Sequence, residues 1–393
     1  MVTASAKPTR LLSLFDVVCL GFNAIVGSGI YLFPGKLAAQ LGPASVLAFG
    51  LCGVMSVLIG LCFVEAAGMF DSSGGPYVYA RTAFGDLAGY AVGWTCWAAA
   101  ILSWAAVTSA VAGDLNTFFP TPGTALDVGM LLAAAITLVL LLINYVGVKP
   151  GAYTLDVLTV VKLVPLVGLI GVGLFKLKPA LTRPFAPHGL SPLPKAAYMA
   201  FFAFQGFEVA PVPAGETANP RRTAPIAVLG SIAGATALYM AVQYVAVAST
   251  PHLPAEQPLA EMGRVLMGSL GGTLVGSAGL ISMVGFCAGI ALSGPRYLEA
   301  LAADAHVPRW IAQRHPRFGT PARAIMVTGG LTLALVLTFD FEGLVDLAVL
   351  TVGVQYLATC IAVPVLRATQ PTRERAMRLP WGPVIPQIGR AHV

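Results

Sequence analysis

Charge is scarce in this sequence. Asp, Glu, Lys and Arg together make up 10% of its 393 residues, against about 25% in an ordinary soluble domain, which excludes a conventional water-soluble globule. A glycine-rich phosphate-binding motif is also missing, so nothing points to nucleotide hydrolysis as an energy source. No His, Cys, Asp and Glu grouping has metal-ligand spacing, and no nucleophile, base and oxyanion donor fall into a catalytic order. The sequence therefore carries no enzyme signature and implies no cofactor. The net charge of +6 is not gathered into a basic segment, which argues against a nucleic-acid partner. The six cysteines, Cys19, Cys52, Cys62, Cys96, Cys287 and Cys360, lie in or beside apolar runs without CxxC spacing. They read as small core residues rather than a disulfide framework.

What is present is hydrophobic length. Apolar residues make up 57% of the chain, and a window of about 19 residues predicts ten spans. These cover residues 11–40, 44–68, 86–112, 125–147, 153–176, 194–217, 223–248, 269–298, 321–339 and 343–366. The expected fold class is an all-α polytopic membrane protein, with one transmembrane domain over residues 1–386 and the lipid bilayer as its surroundings. The first run lacks a small-residue cleavage site and continues into a span, so it does not read as a cleaved signal peptide. Lys and Arg crowd one set of connections, among them Lys7, Arg10, Arg81, Lys149, Arg221, Arg222, Arg314, Arg367 and Arg373. Far fewer occupy the other set, which predicts a cytoplasmic N-terminus in the cytoplasmic (inner) membrane.

Two predicted spans carry helix breakers where breaking is expensive. Residues 21–35 read GFNAIVGSGIYLFPG and residues 201–216 read FFAFQGFEVAPVPAGE. Each opens one half of a five-plus-five division, residues 11–176 and 194–366, and an odd number of spans per half makes the halves face opposite ways. Matching interruptions in inverted halves point to a transporter site at mid-membrane. Two glycine-kinked helices packed closely on their neighbours remain the alternative at this point. At a true break, the N–H groups of Ser28, Gly29 and Ile30 suit a carboxylate. The carbonyls of residues 23–26 and 203–205 suit an ammonium group, so a zwitterionic amino acid satisfies both.

Several motifs, in this order, carry a family resemblance: GSGI at 27–30, GGPYVYAR at 74–81, FAFQGFE at 202–208, ETANPRRTAP at 216–225 and HPRFGTPARA at 315–324. The chain resembles the amino acid–polyamine–organocation (APC) transporters. The resemblance implies the LeuT-type five-plus-five inverted repeat with helices 1 and 6 broken. It also implies an amino acid site formed by Ala24, Ile25, Gly27, Ser28, Gly29 and Ile30 together with Phe202, Ala203, Phe204 and Gly206. An aromatic gate is expected at Phe202 or Phe204, with Phe202 favoured. Lys162, inside the fifth span, is similar to a lysine of sodium-independent members and implies transport without sodium. Glu208 is a costly carboxylate within a span, either a protonatable coupling group or a cap on backbone N–H groups.

The implied function is secondary active amino acid transport by alternating access, as proton-coupled uptake or exchange. Glu208 is the one clear carboxylate near the site, which favours a neutral amino acid over arginine or a polyamine. An amino acid/polyamine antiporter and a non-transporting solute sensor are the alternatives. Glu65 ends the second span ahead of the loop carrying Arg81, where a gate salt bridge is the alternative; it, Asp16 and Asp156 are expected to be solvated helix-end carboxylates, and Trp94, Trp97 and Trp104 to pack or anchor. Members of the family commonly continue for two more spans, so helices 11 and 12 are expected to be missing here. The final IGRAHV matches the translation of a common sequencing-adapter string, which makes residues 387–393 an expected non-native tail.

Overall fold

The computed structural model describes residues 11–118, 127–255, 257–339 and 341–378, so the expected tail at 387–393 lies outside the described residues. It is an all-α polytopic membrane protein. Twelve α-helices occupy the described residues: α1 (Leu14–Ile25), α2 (Gly29–Leu41), α3 (Val46–Ala67), α4 (Pro76–Phe84), α5 (Asp86–Phe118), α6 (Val128–Val146), α7 (Val148–Leu174), α8 (Leu193–Phe201), α9 (Pro220–Ser249), α10 (Pro258–Ala303), α11 (Ala322–Thr338) and α12 (Phe341–Thr369). Among the described residues, seven helical stretches are long and apolar enough to cross a membrane, with Leu14–Ile25 and Ala322–Thr338 as shorter apolar helices.

Local chemistry sets the helix ends. Ser13 and Asp16 form a reciprocal capping box at the start of α1. Asp127 caps α6 by accepting from the Met130 N–H, a bond that holds its carboxyl below the usual carboxylate range. The expected span at 194–217 needs correction. Helix α8 stops at Phe201 and gives way to short 3₁₀ turns at Phe202–Phe204, Phe207–Val209 and Ala214–Glu216. Gly206 adopts φ 121°, and Pro211 and Pro213 have no N–H to give a helix. The expected start at 269 falls inside α10, directly after Gly268, whose φ of 76° is non-helical.

The centre is formed by α1 packed on α7 and α9, α3 on α9, and α5 on α10 and α12. Large apolar side chains such as Leu142, Val164, Leu337 and Leu350 are exposed on the outer faces of α6, α7, α11 and α12, the surface lipid tails would cover. All six cysteines are free and buried. After α12, the chain docks on the end of α3. Arg373 donates to the Met69 carbonyl at 3.0 Å and its guanidinium lies 4.1 Å from the Phe70 ring centroid.

Candidate functional site

The chain between α1 and α2 is non-helical over residues 26–28. Val26 leaves the helix with ψ 74°, and Gly29 opens α2 behind an N-cap, Ser28, whose side chain makes no capping bond. The first N–H groups of a helix have no intrahelical acceptor, and they carry the positive end of its dipole. The backbone N–H groups of Ser28, Gly29 and Ile30 stand at this helix start.

The matching carbonyls are largely engaged by the protein itself. Lys162 Nζ, fully buried on α7, donates to Asn23 O at 2.8 Å and Val26 O at 2.5 Å. Ser282 Oγ, on α10, lies 3.0 Å from Val26 O and 3.2 Å from Gly27 O. The Tyr239 hydroxyl, on α9, sits 2.8 Å from Ile25 O and 3.0 Å from Ala203 O, linking the two interrupted segments. Lys162 and Ser282 thus meet at one carbonyl, that of Val26.

The second segment is extended at Gln205 and turns at Gly206. The Gly206 N–H donates to Glu208 Oε2 at 2.8 Å, and the Tyr356 hydroxyl donates to the same oxygen at 2.6 Å. Glu208 thus has the bonds of a backbone cap. The two segments also touch. A Cβ on Gly29 would lie 2.7 Å from Ala203 Cα, and one on Gly206 would collide with the Ala24 carbonyl. At Gly27 a Cβ would meet only Phe286, at 3.8 Å.

Between these segments lies a cavity of about 280 Å³, at the small end of the roughly 300–1,000 Å³ of ligand pockets. It is bordered by Ala24, Ile25, Gly27, Ser28 and Gly29, and by Phe202, Ala203, Gly206 and Glu208. Ile30, Phe204 and Lys162 do not line it. Ile30 is fully buried, and Phe204 packs 5.2 Å from Tyr239 and 6.5 Å from Phe49, ring centre to ring centre. Lys162 reaches the non-helical backbone from outside the cavity. Of the two expected gate positions, Phe202 is the one on the cavity, with its ring edge-on to Phe33 at 5.9 Å.

The remaining wall comes from α5, α10 and α12. Ala99, Ala100 and Ala106 form a small-residue stripe on α5, while Val345, Val349 and Val352 supply the α12 side. Gln355 ends that α12 stripe; it is 3% exposed and its Oε1 has no hydrogen-bond partner. An unpaired buried polar group costs about 1–3 kcal/mol.

An amino acid permease family model matches residues 12–388. The chain belongs to the amino acid permease family, within the APC superfamily. A methylthioribose transporter of Bacillus subtilis is 27% identical over 98% of this chain and 87% of its own length. Cationic amino acid transporter 4 of Homo sapiens is 29% identical over 93% of this chain and 61% of its own. A branched-chain amino acid permease of Bacillus subtilis is 26% identical over 96% and 85%.

Two expectations about charged groups fail in this permease. Glu65 is not a solvated helix end: it is 1% exposed and accepts from Arg367 at 2.7 and 2.5 Å. Its carboxylate lies where α3 meets the end of α12, a pairing between residues 302 positions apart that no local pattern announces. Arg81, set against Glu65 as a possible gate partner, instead pairs with Asp86 and Asp304. A second buried ionic group has no local signal in the sequence. Glu216 joins Arg296 at 2.5 Å and Arg314 at 3.0 Å, and Arg314 also meets Glu299 at 2.7 Å. Burial alone would lower the Arg314 pKa, but the charges of Glu299 and Glu216 outweigh it and hold the guanidinium above its ordinary value.

Proposed function

We propose that this family member is a secondary active transporter of neutral amino acids, working by alternating access across the cytoplasmic membrane. The observation that carries the reading is the cavity between two non-helical segments, with Ser28 and Gly29 at the start of α2 on one side and largely apolar walls on the others. An α-carboxylate completes the free donors at the start of α2. The α-amino group pairs with backbone carbonyls left over around Ala24 and Gln205, since Lys162, Ser282 and Tyr239 hold most of the others. Phe202 covers the bound substrate.

The same proposal takes α1–α2 and α8 with its following turns as the broken first members of two inverted five-span halves, making ten spans with a cytoplasmic N-terminus. Lys162 then does the work of a coupling cation. Its ammonium supplies fixed positive charge to the end of α1, so transport proceeds without sodium. Cavity size and the lack, among the described residues, of any lining carboxylate other than Glu208 favour a neutral substrate. Among the relatives, the branched-chain permease supports that class, whereas the cationic transporter is named for charged substrates.

Uptake into proteoliposomes decides the matter. A panel of labelled amino acids is offered with and without sodium, a pH gradient and internal substrate, with methylthioribose as a competitor. We expect saturable, sodium-independent entry of neutral amino acids. Stimulation by an inward proton gradient marks symport, and stimulation by internal substrate marks exchange. If no amino acid binds or moves, the proposal fails.

A further inference from the structure

Gln355 is a glutamine placed where the described side chains of α12 otherwise offer the cavity only alanine and valine. Val345, Ala348, Val349, Val352 and Gln355 all border it, at spacings of three and four that put them on one helical face. The neighbouring Tyr356 points elsewhere and is occupied by Glu208. Gln355 is not so occupied: it is almost fully buried and its side-chain oxygen is unpaired. Buried amides are rarely left without partners. The oxygen and nitrogen of an amide are interchangeable by rotation, so this side chain offers a donor as readily as an acceptor. Apolar substrates would leave it paired at best with displaced or residual water.

Resting on the reading of the cavity as an amino acid site, we propose that Gln355 reads the substrate side chain. The favoured substrates are then neutral amino acids bearing a hydroxyl or carboxamide, rather than aliphatic ones of the same size. The α-carboxylate sits at residues 28–30, the side chain points towards α12, and its polar group completes the hydrogen bonds of Gln355. Val352 and Val349, on the two preceding turns, accommodate the carbon skeleton. A site built to bond a hydroxyl discriminates against the analogue that lacks it, because the protein group is left unpaired.

Threonine and valine are nearly isosteric and isolate this contact. Their relative affinities are measured by competition in proteoliposomes for the wild type, Gln355→Met and Gln355→Asn. We expect the wild type to favour threonine by about tenfold or more. Gln355→Met, similar in length but without the amide, should lower the threonine-to-valine ratio at least about tenfold, and Gln355→Asn should retain part of it. A wild type that takes valine as well as threonine overturns the proposal without any variant. So does an unchanged ratio in Gln355→Met. If Gln355→Met does not fold, Gln355→Ala and the wild-type ratio carry the same test. Failure of the wild type to take up any amino acid would instead strike the reading of the cavity itself.

Discussion

Gly29 and Ala203 touch across the two non-helical segments so closely that a Cβ on the glycine would lie 2.6 Å from the alanine Cβ and 2.7 Å from its Cα. The glycine at this position is therefore a packing requirement as well as a donor of an N–H group. Gly29→Ala should push the segments apart and destabilise the protein by about 1–3 kcal/mol, the usual cost of overpacking. Gly27→Ala, with ordinary contact to Phe286, should leave thermal stability unchanged while weakening substrate binding. Thermal unfolding in detergent, paired with a binding titration, separates the two. Equal losses of stability would remove the distinction.

Lys162→Met removes the two bonds that hold Asn23 O and Val26 O and leaves those carbonyls with one fewer donor each. Hydrogen bonds from a charged group are worth about 1.5–3 kcal/mol. The variant should insert into the membrane yet lose transport by more than about tenfold, with the end of α1 loosened. Uptake alongside hydrogen exchange of residues 23–28 measures both. Wild-type uptake in Lys162→Met would show that the ammonium is dispensable.

Tyr239→Phe keeps the ring packed on Phe204 and Phe49 and removes only the hydroxyl between Ile25 O and Ala203 O. The expected cost is about 1–2 kcal/mol in stability. Substrate affinity should fall too, because the relative position of the two segments is no longer fixed. A variant with normal stability and affinity would mean that the hydroxyl contributes to neither.

Glu216→Gln leaves Arg296, 1% exposed, without its counter-charge. Breaking a buried pair in this way costs about 3–5 kcal/mol, so the yield of folded protein should drop sharply. The double variant Glu216→Gln with Arg296→Gln should recover part of that loss. Size-exclusion profiles after solubilisation provide the readout. No recovery in the double variant would assign the effect to Arg314 or to the surrounding packing.

The sequence was informative where the signal is local. Apolar runs located the helices to within a few residues at α3, α6 and α9, and glycine clusters marked the non-helical backbone at residues 26–28 and around Gly206. Nine of the twelve residues singled out border one cavity. What escaped was anything decided by which face of a helix turns inward. Ile30 and Phe204 sit beside lining residues in sequence but point into packed core, and α5 contributes a wall of alanines that no motif distinguishes. Tyr239 and Ser282 meet the non-helical backbone from segments more than two hundred residues away along the chain. Gln355 had a usable signal, since an amide within an apolar span is uncommon enough to question. Glu65 differs from its expectation, and Glu216 carries none, because a carboxylate near a helix end is solvated or buried according to the arginines that distant segments deliver.

The six cysteines, free and buried, have a practical consequence. Membrane-impermeant thiol reagents should find a quiet background, with Cys96 on the cavity wall as the one native thiol to replace first. Single cysteines introduced at Phe202 or Ser103 would then report, by labelling rate from either side of a vesicle, which face the cavity opens to. The composition that hides the thiols in packed helices thus leaves a scaffold on which exposure of the cavity to either side can be read separately.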